Sequence, residues 1–417
     1  MFSLRKFFKG GDGFGRNVLV VFFGTSLLSI FNLLYQLLIA HRLSPVDFAA
    51  FNSLLSLFLI FSAPLLTLQA VTAKFAAEFA ARNEVNKIKT LFSRLLLKSV
   101  LFSLGTFFVF LACAPRIASS LKIPSYGPVY MLMWLVAFAW ILPVLLGGLQ
   151  GLKKFSWFVF SSISGGGLKL ILAFVFISFG FGISGALGGY LVATIVSILI
   201  AMVALRSFIV PKAQWAYVHF KEIYRYFFPL IISNLCFTGL VNSDMVLVKY
   251  YFSPEKAGLY SLSQMVGKIF LFLPMAISVV MFPHASSLNA RAQDARPVLN
   301  KSLLYAASLC IAAIIFYNLF PGLTLIVLTG KIHPESIFVG RLFSVSMTGF
   351  ALSFLLMNYF LSVKDLRFIK FIFIIAGIQL LAMLVIHHSL AEVQYILCVS
   401  AFVLFSSLFI LSRKNPS

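Results

Sequence analysis

The chain has 417 residues, 61% of them hydrophobic and only 11% charged, whereas a soluble domain keeps about a quarter of its residues charged to face water. That balance excludes a water-soluble globular protein, and the lack of ten-residue alternating segments argues against a membrane β-barrel. The formal net charge of +22 reads, in so apolar a chain, as lysine and arginine kept in cytoplasmic loops rather than as a nucleic-acid-binding surface.

Backbone groups in lipid must be satisfied within the segment, so apolar runs of about twenty residues predict transmembrane helices. Twelve such segments follow one another, near 17–41, 46–72, 94–114, 127–150, 155–180, 182–206, 226–250, 258–283, 300–320, 336–362, 368–388 and 391–412. The first is too long for a signal-peptide core and no small-residue cleavage site follows it, so a retained helix is expected. It carries Thr25, Ser29, Asn32 and Gln36 at helical spacing, a polar stripe suited either to a cavity wall or to hydrogen bonds between helices. Between the second and third segments, "TAKFAAEFAARNEVNKIKTLFSRL" is basic and amphipathic, which predicts a helix lying on the membrane surface.

The fifth segment holds Lys169 near mid-depth, after "SSISGGG", whose glycines allow another helix or a ligand to come close. "GALGG" at 185–189 in the sixth reads as a small-residue packing patch, not a phosphate loop. A second long basic connector, "SFIVPKAQWAYVHFKEIYRY", precedes the seventh segment. That segment repeats the polar stripe of the first with Asn234, Thr238 and Asn242, and adds Asp244. The eighth holds Lys268 about ten residues (~15 Å) from its start, on one face with Ser261 and Gln264. Arg341 in the tenth, sharing a face with Ser344 and Thr348, is a weaker cavity candidate.

A charge within hydrocarbon is costly and needs a reason. Lys169 and Lys268 are too deep to reach the interface, so each is expected to meet a wet cavity, a carboxylate or an anion. Arg42 and Asp47 flank Ser44-Pro45, where serine caps and proline opens the next helix, so a turn role is expected there. Cys113, Cys236, Cys310 and Cys398 lie in apolar runs without a CxxC or neighbouring histidines, and read as small buried hydrophobes. His387 and His388 lack a third ligand. No cofactor or metal is expected.

Lysine and arginine are distributed by side. The N-terminus, the even-to-odd loops and the C-terminus hold 24 of the 33; the opposite loops hold seven, among them Lys122, Lys249 and Lys331. Both termini are therefore expected in the cytoplasm. There is also an internal repeat. "IAHRLSPVDFAAFNSLLSLFLIFSAP" (39–64) aligns with "VKYYFSPEKAGLYSLSQMVGKIFLFLP" (248–274), placing Ser44-Pro45 on Ser253-Pro254 and Phe51 on Tyr260, with a one-residue slip at Pro64 and Pro274. Equal orientation implies a parallel repeat: an all-α polytopic membrane protein of twelve helices, in two six-helix lobes, 1–210 and 211–417, around a central path.

The helix–"RLSPVDFAAF"–helix opening, "NSDMVLVKYYFSPEKAGLYSLSQMVGKIFLFLPMAISVVMFP" and "LLGGLQGLKKFSWF" (145–158) resemble the corresponding parts of bacterial polysaccharide flippases. These belong to the multidrug/oligosaccharidyl-lipid/polysaccharide exporter superfamily. The resemblance implies two lobes enclosing a cavity open alternately to each side. It also implies an undecaprenyl-pyrophosphate-linked oligosaccharide as cargo, moved across the cytoplasmic membrane. Lys268 and Lys169, with Gln264, Asn32, Gln36, Asn234, Thr238, Asn242 and Arg341, are then candidates to bind it. Asp244 is the candidate for coupling to sodium or protons, which often drive this superfamily, though pairing with Lys249 or with a neighbouring helix would serve as well.

Competing functions remain. A cation-coupled multidrug exporter would be expected to line its cavity with acid, whereas the mid-depth charges here are lysines. A glycan-assembling membrane enzyme needs a sizeable outer loop with acid, base or metal groups, and the outer loops are short. A non-transporting component of a polysaccharide synthase, working beside a polymerase or export machinery, is compatible with the sequence as a further alternative.

Overall fold

Proline and glycine set where the helices start and stop. A computed structural model describes residues 14–209, 217, 220–272, 274–291 and 293–413, and these form fifteen α-helices without strands. In chain order they are α1 (Phe14–Arg42), α2 (Pro45–Ala81), α3 (Val85–Ser120), α4 (Gly127–Ala139), α5 (Leu142–Gly151), α6 (Phe155–Ser178) and α7 (Gly182–Ile209). There follow α8 (Phe220–Tyr251), α9 (Pro254–Phe272), α10 (Met275–Ala290), α11 (Arg296–Leu319), α12 (Pro321–Thr329), α13 (Pro334–Ser362), α14 (Phe368–Val385) and α15 (Leu390–Arg413). Eleven membrane-length stretches are long and apolar enough to cross a bilayer, α4 and α5 together making one of them. The chain is a multi-pass, all-helical membrane protein.

The expected eighth segment does not run through. Pro274 stands at the N-cap of α10, where it offers no backbone N–H, and the segment divides into α9 and α10. Its counterpart in the repeat, Pro64, lies inside a continuous α2. The fourth segment likewise breaks between α4 and α5, with Pro143 in the first turn of α5. The short α12, opened by Pro321, begins just past the ninth expected segment.

The basic amphipathic stretch at 72–95 is no separate surface helix. It supplies the extended ends of α2 and α3, which meet at a tight turn with Asn83 at φ 58°. The apolar faces of the two ends close on each other: Phe75, Ala76 and Phe79 are buried in one cluster with Ile88, Leu91, Phe92 and Leu95. An amphipathic stripe needs only an apolar partner, and here that partner is the neighbouring helix rather than lipid.

Contacts divide the chain into two compact units. One comprises Met1–Ile39, Pro64–Ala118 and Pro124–Phe228; the other comprises Ala40–Ala63, Ser119–Ile123 and Pro229–Ser417. The expected boundary at 210/211 lies outside the described residues.

In the first unit α6 packs along α7. Ser161 Oγ donates to the Ser197 carbonyl at 2.9 Å, and Ser197 Oγ returns a bond to the Ser161 carbonyl at 3.1 Å. A Cβ at Gly189 would stand 2.8 Å from the Ala173 backbone nitrogen, so the backbones touch there. The small-residue patch at 185–189 is thus a packing surface, as its composition predicts. In the second unit α13 packs against both α9 and α15. Ser263 Oγ donates to the Ser336 carbonyl at 2.8 Å and Ser336 Oγ to the Leu259 carbonyl at 3.0 Å, which fixes α9 to α13.

Candidate functional site

Each unit holds a buried polar cluster around an intramembrane charge. In the first, the glycines of "SSISGGG" serve helix packing. Added Cβ atoms at Gly165 and Gly166 would strike Ser197 of α7 and Leu28 of α1. This close approach of α6 to α1 carries Lys169, only 7% exposed, onto the α1 side chains. Its Nζ donates to Asn32 Oδ1 at 2.5 Å and lies 4.5 Å from the ring centroids of both Tyr35 and Tyr190. Tyr35 is fixed in turn by donating to the Ala186 carbonyl at 2.9 Å.

Among the described residues Lys169 forms no ion pair with a carboxylate; aromatic faces and an amide oxygen hold it. A lysine at a helix centre in a bilayer costs about 2.5–3.5 kcal/mol. Two desolvated cation–π contacts contribute about 2 kcal/mol each, and a hydrogen bond from a charged donor about 1.5–3 kcal/mol. Together these contacts outweigh that cost. Sequence spacing could not have found the two tyrosines: Tyr35 is far from Lys169 in the chain, and although Tyr190 lies on the next helix, only the packing of α6 on α7 turns its ring to the ammonium.

In the second unit the cluster centres on Asp244 of α8, which is fully buried. Tyr260 of α9 donates its hydroxyl proton to Asp244 Oδ2 at 2.8 Å, and Gln264 Nε2 approaches the same oxygen at 3.4 Å. Gln394 of α15 donates to the Tyr260 hydroxyl at 2.7 Å, and Gln379 of α14 donates to the Leu240 carbonyl at 2.8 Å. Four buried oxygens are left without a hydrogen-bond partner: Asp244 Oδ1, Gln264 Oε1, Gln379 Oε1 and Gln394 Oε1. Such groups are rare in folded proteins, and each of these oxygens is open to accept from a water or to ligate an ion. The alternative pairing of Asp244 with Lys249 is not formed: Lys249 Nζ is buried without a hydrogen-bond partner.

Lys268 lies in the same unit, close enough to Asp244 for the two charges to attract. It is half-buried and forms no hydrogen bond or ion pair among the described residues. Because α9 begins at Pro254, Lys268 stands fourteen residues (~21 Å) along it, deeper than its expected position. Only four residues separate it from the carboxyl end at Phe272, where a cation is favoured by the unpaired carbonyls.

The other candidates fall apart by unit and by exposure. Thr25, Ser29 and Asn32 are exposed and Gln36 half-buried on α1; Thr25 and Ser29 bond to carbonyls of their own helix. Asn242 is buried and donates to the Thr238 carbonyl at 2.9 Å, again within its helix. Asn234 and Thr238 are half-buried on α8, and Arg341 is exposed on α13. Ser344 and Thr348 bond to carbonyls of α13 itself. Of these candidates, Asn32 bonds to Lys169.

Ser44 and Asp47 form the expected helix start. Asp47 N–H donates to Ser44 Oγ at 3.1 Å and Ser44 Oγ to Asp47 Oδ2 at 2.7 Å. His387 stacks on Tyr251 with centroids 3.7 Å apart. All four cysteines are unbridged, but only Cys310 is buried, the others being half-exposed.

The comparisons with known proteins follow the same line. Residues 80–337 match the family described as polysaccharide biosynthesis protein. A protein of Shigella flexneri named for O-antigen transport is 26% identical over 193 residues, 46% of this chain and 46% of its own length. The match thus spans about half the length of that curated relative. Among solved structures, an inward-facing multidrug resistance MATE family transporter of the MOP superfamily has a TM-score of 0.77 at 15% identity, over 93% of this chain and 94% of that one. The lipid II flippase MurJ, in an inward closed conformation, gives 0.72 at 13% identity, over 95% and 88%. A MOP superfamily transporter from Pyrococcus furiosus, described as having a binding pocket of reversed polarity, gives 0.63 at 15% identity, over 97% and 96%. The chain shares the fold of these transporters, and it belongs to the polysaccharide biosynthesis protein family.

Proposed function

We propose that the protein is a flippase. It moves an undecaprenyl-pyrophosphate-linked oligosaccharide across the bacterial cytoplasmic membrane by alternating access, for surface polysaccharide synthesis, and performs no bond-making chemistry. Both termini lie in the cytoplasm, and two six-helix lobes, 1–210 and 211–417, flank the path. Membership of the polysaccharide biosynthesis family supports the class of cargo. Lys268 is the observation that carries the reading. It is a half-buried ammonium with no hydrogen bond or ion pair among the described residues, held near the carboxyl end of a broken helix. A pyrophosphate cannot cross hydrocarbon alone, and an ammonium drawn through space by Asp244 but engaged in no hydrogen bond among the described residues is a point charge able to receive it.

Lys169 takes a different part. Caged by Tyr35, Tyr190 and Asn32, it supplies a fixed positive field from the first unit while Gln36, Asn234, Thr238, Asn242 and Arg341 offer polar contacts to the cargo. Asp244 couples transport to a cation. Its free Oδ1 and the free amide oxygens of Gln264, Gln394 and Gln379 are hard ligands that suit sodium, and the carboxylate alone suits a proton. The second carboxylate that a cation site would otherwise need is replaced by amide oxygens.

The test is Lys268→Ala in the native host. Loss of surface polysaccharide, with the variant at normal abundance in the membrane, is expected. Full polysaccharide output from that variant would remove Lys268 from transport. The multidrug-exporter reading makes the opposite forecast, drug sensitivity with polysaccharide intact.

A further inference from the structure

One relationship of the internal repeat reaches beyond the turns that define it. The offset of 209 residues that places Ser44-Pro45 on Ser253-Pro254 also places Lys122 on Lys331 and Leu43 on Phe252. Lys122, in the turn after α3, donates its Nζ to the Phe252 carbonyl at 2.6 Å. Lys331, in the turn after α12, donates to the Leu43 carbonyl at 2.5 Å and to the Ala40 carbonyl at 2.7 Å. Each lysine thus grips the carboxyl end of the helix that opens the other half of the sequence, α8 for Lys122 and α1 for Lys331. Every residue of both grips belongs to the second compact unit.

The surroundings are built for contact. A Cβ at Gly258 would stand 3.1 Å from the Pro45 carbonyl carbon and oxygen, so the start of α9 is pressed against the start of α2. His41 lies against Gly330, whose φ of +70° sets the turn that delivers Lys331. Lys122 itself adopts a φ of 51°, a conformation that costs a non-glycine residue free energy unless its surroundings hold it. Unpaired carbonyls at a helix carboxyl end are the natural acceptors for a lysine.

The closed junction also contains a group that disfavours closure. Lys249, one turn before the carbonyl that Lys122 grips, is fully buried with an ammonium that has no hydrogen-bond partner. Its charge is repelled by Lys122 and drawn only through space by Asp47 and Glu255. A buried, unpaired ammonium is expensive, and separating the junction would hydrate it.

We propose that Lys122 and Lys331 form a reciprocal two-lysine latch that holds the starts of α2 and α9 together, and that both grips must release for the cargo path to open on this side. The inference rests on the alternating-access reading given above.

It is tested by thiol accessibility in a parent lacking Cys113, Cys236, Cys310 and Cys398. Ala49→Cys and Ala257→Cys, both at fully buried positions, are the two reporters. A membrane-impermeant maleimide is applied from either side of native-membrane vesicles. Each of Lys122→Ala and Lys331→Ala should speed labelling about tenfold, since each removes a charged-donor hydrogen bond. Lys122→Arg and Lys331→Arg should label slowly again, and Lys256→Ala, at an exposed position on α9, should leave the rate unchanged. Unchanged rates in both alanine variants at parental abundance would overturn the latch, as would equal acceleration by Lys256→Ala. Labelling needs no cargo. Reporters that respond in a protein without flipping activity would leave the latch standing and remove the flippase reading instead.

Discussion

Tyr260 and Asp244, on consecutive helices, share one short hydrogen bond of 2.8 Å in a fully buried setting. At the position in the first half that aligns with Tyr260 stands Phe51. The hydroxyl is therefore an asymmetry between the halves, and the coupling role proposed for Asp244 depends on it. Tyr260→Phe keeps the ring volume and removes the donor. Cation-driven transport should fall about tenfold, the effect of one hydrogen bond to a charged group, with abundance unchanged. Transport measured against imposed sodium and proton gradients checks this; a Tyr260→Phe variant with undiminished gradient dependence would separate the hydroxyl from coupling.

Lys169 stands between two aromatic rings. Lys169→Met keeps the length and loses the charge, forfeiting cation–π contacts of about 2 kcal/mol each while also ending the cost of burying a charge. With the Asn32 hydrogen bond also lost, the forfeited contacts exceed the relieved cost by about 2–4 kcal/mol, so the thermal midpoint of the purified protein should fall while flipping declines. A midpoint that drops steeply with flipping intact would make the cage structural alone.

The α6–α7 contact is a backbone contact, with room for no side chain at Gly189. Gly189→Val should destabilise by about 1–3 kcal/mol through overpacking. Proteolysis in detergent should reveal it as faster cleavage and lower yield. Resistance equal to that of the parent would show that α6 and α7 can separate without cost.

Asp365, in the turn between α13 and α14, receives Arg367 N–H at 2.9 Å and its guanidinium at 2.8–3.1 Å. Partial burial by itself would raise the carboxyl's pKa, but the hydrogen bonds and charge of Arg367 outweigh it and hold it below the usual carboxylate value. The stability this contributes is present above the unfolded pKa of about 3.9 and is lost as pH falls through the lower folded value. Asp365→Asn should cost about 1 kcal/mol at neutral pH, a figure reduced for the exposure of Arg367, and the difference from the parent should vanish in acid. Unfolding midpoints compared at pH 7 and pH 3 check it. A gap that persists undiminished at pH 3 would assign the loss to something other than the ion pair.

Much of the fold could be read from the sequence because lipid leaves few choices. Length and apolarity located the membrane segments, and the Ser-Pro repeat located equivalent turns. The breaks were harder: Pro64 continues a helix while Pro274 ends one, and the difference lies in packing rather than in the residue. The stretch at 72–95 misleads for a related reason, since an amphipathic face looks the same whether lipid or another helix covers it. For the site, intramembrane charge marked Lys169, Asp244 and Lys268, because no other cause keeps such residues there. Their partners were invisible. Tyr190, Gln379 and Gln394 are ordinary residues in a sequence, and only the fold brings Gln394 to Tyr260 across 134 positions.

The role of Lys268 is tested most directly with purified protein in liposomes carrying a fluorescent undecaprenyl-pyrophosphate oligosaccharide, with the label exposed on one leaflet scored over time. The parent should equilibrate the lipid across the bilayer. Lys268→Ala should slow this about tenfold or more, through loss of a charged contact to phosphate, with Lys268→Arg in between. Parental rates from Lys268→Ala, reconstituted at equal density, would contradict the assignment of this ammonium to the pyrophosphate.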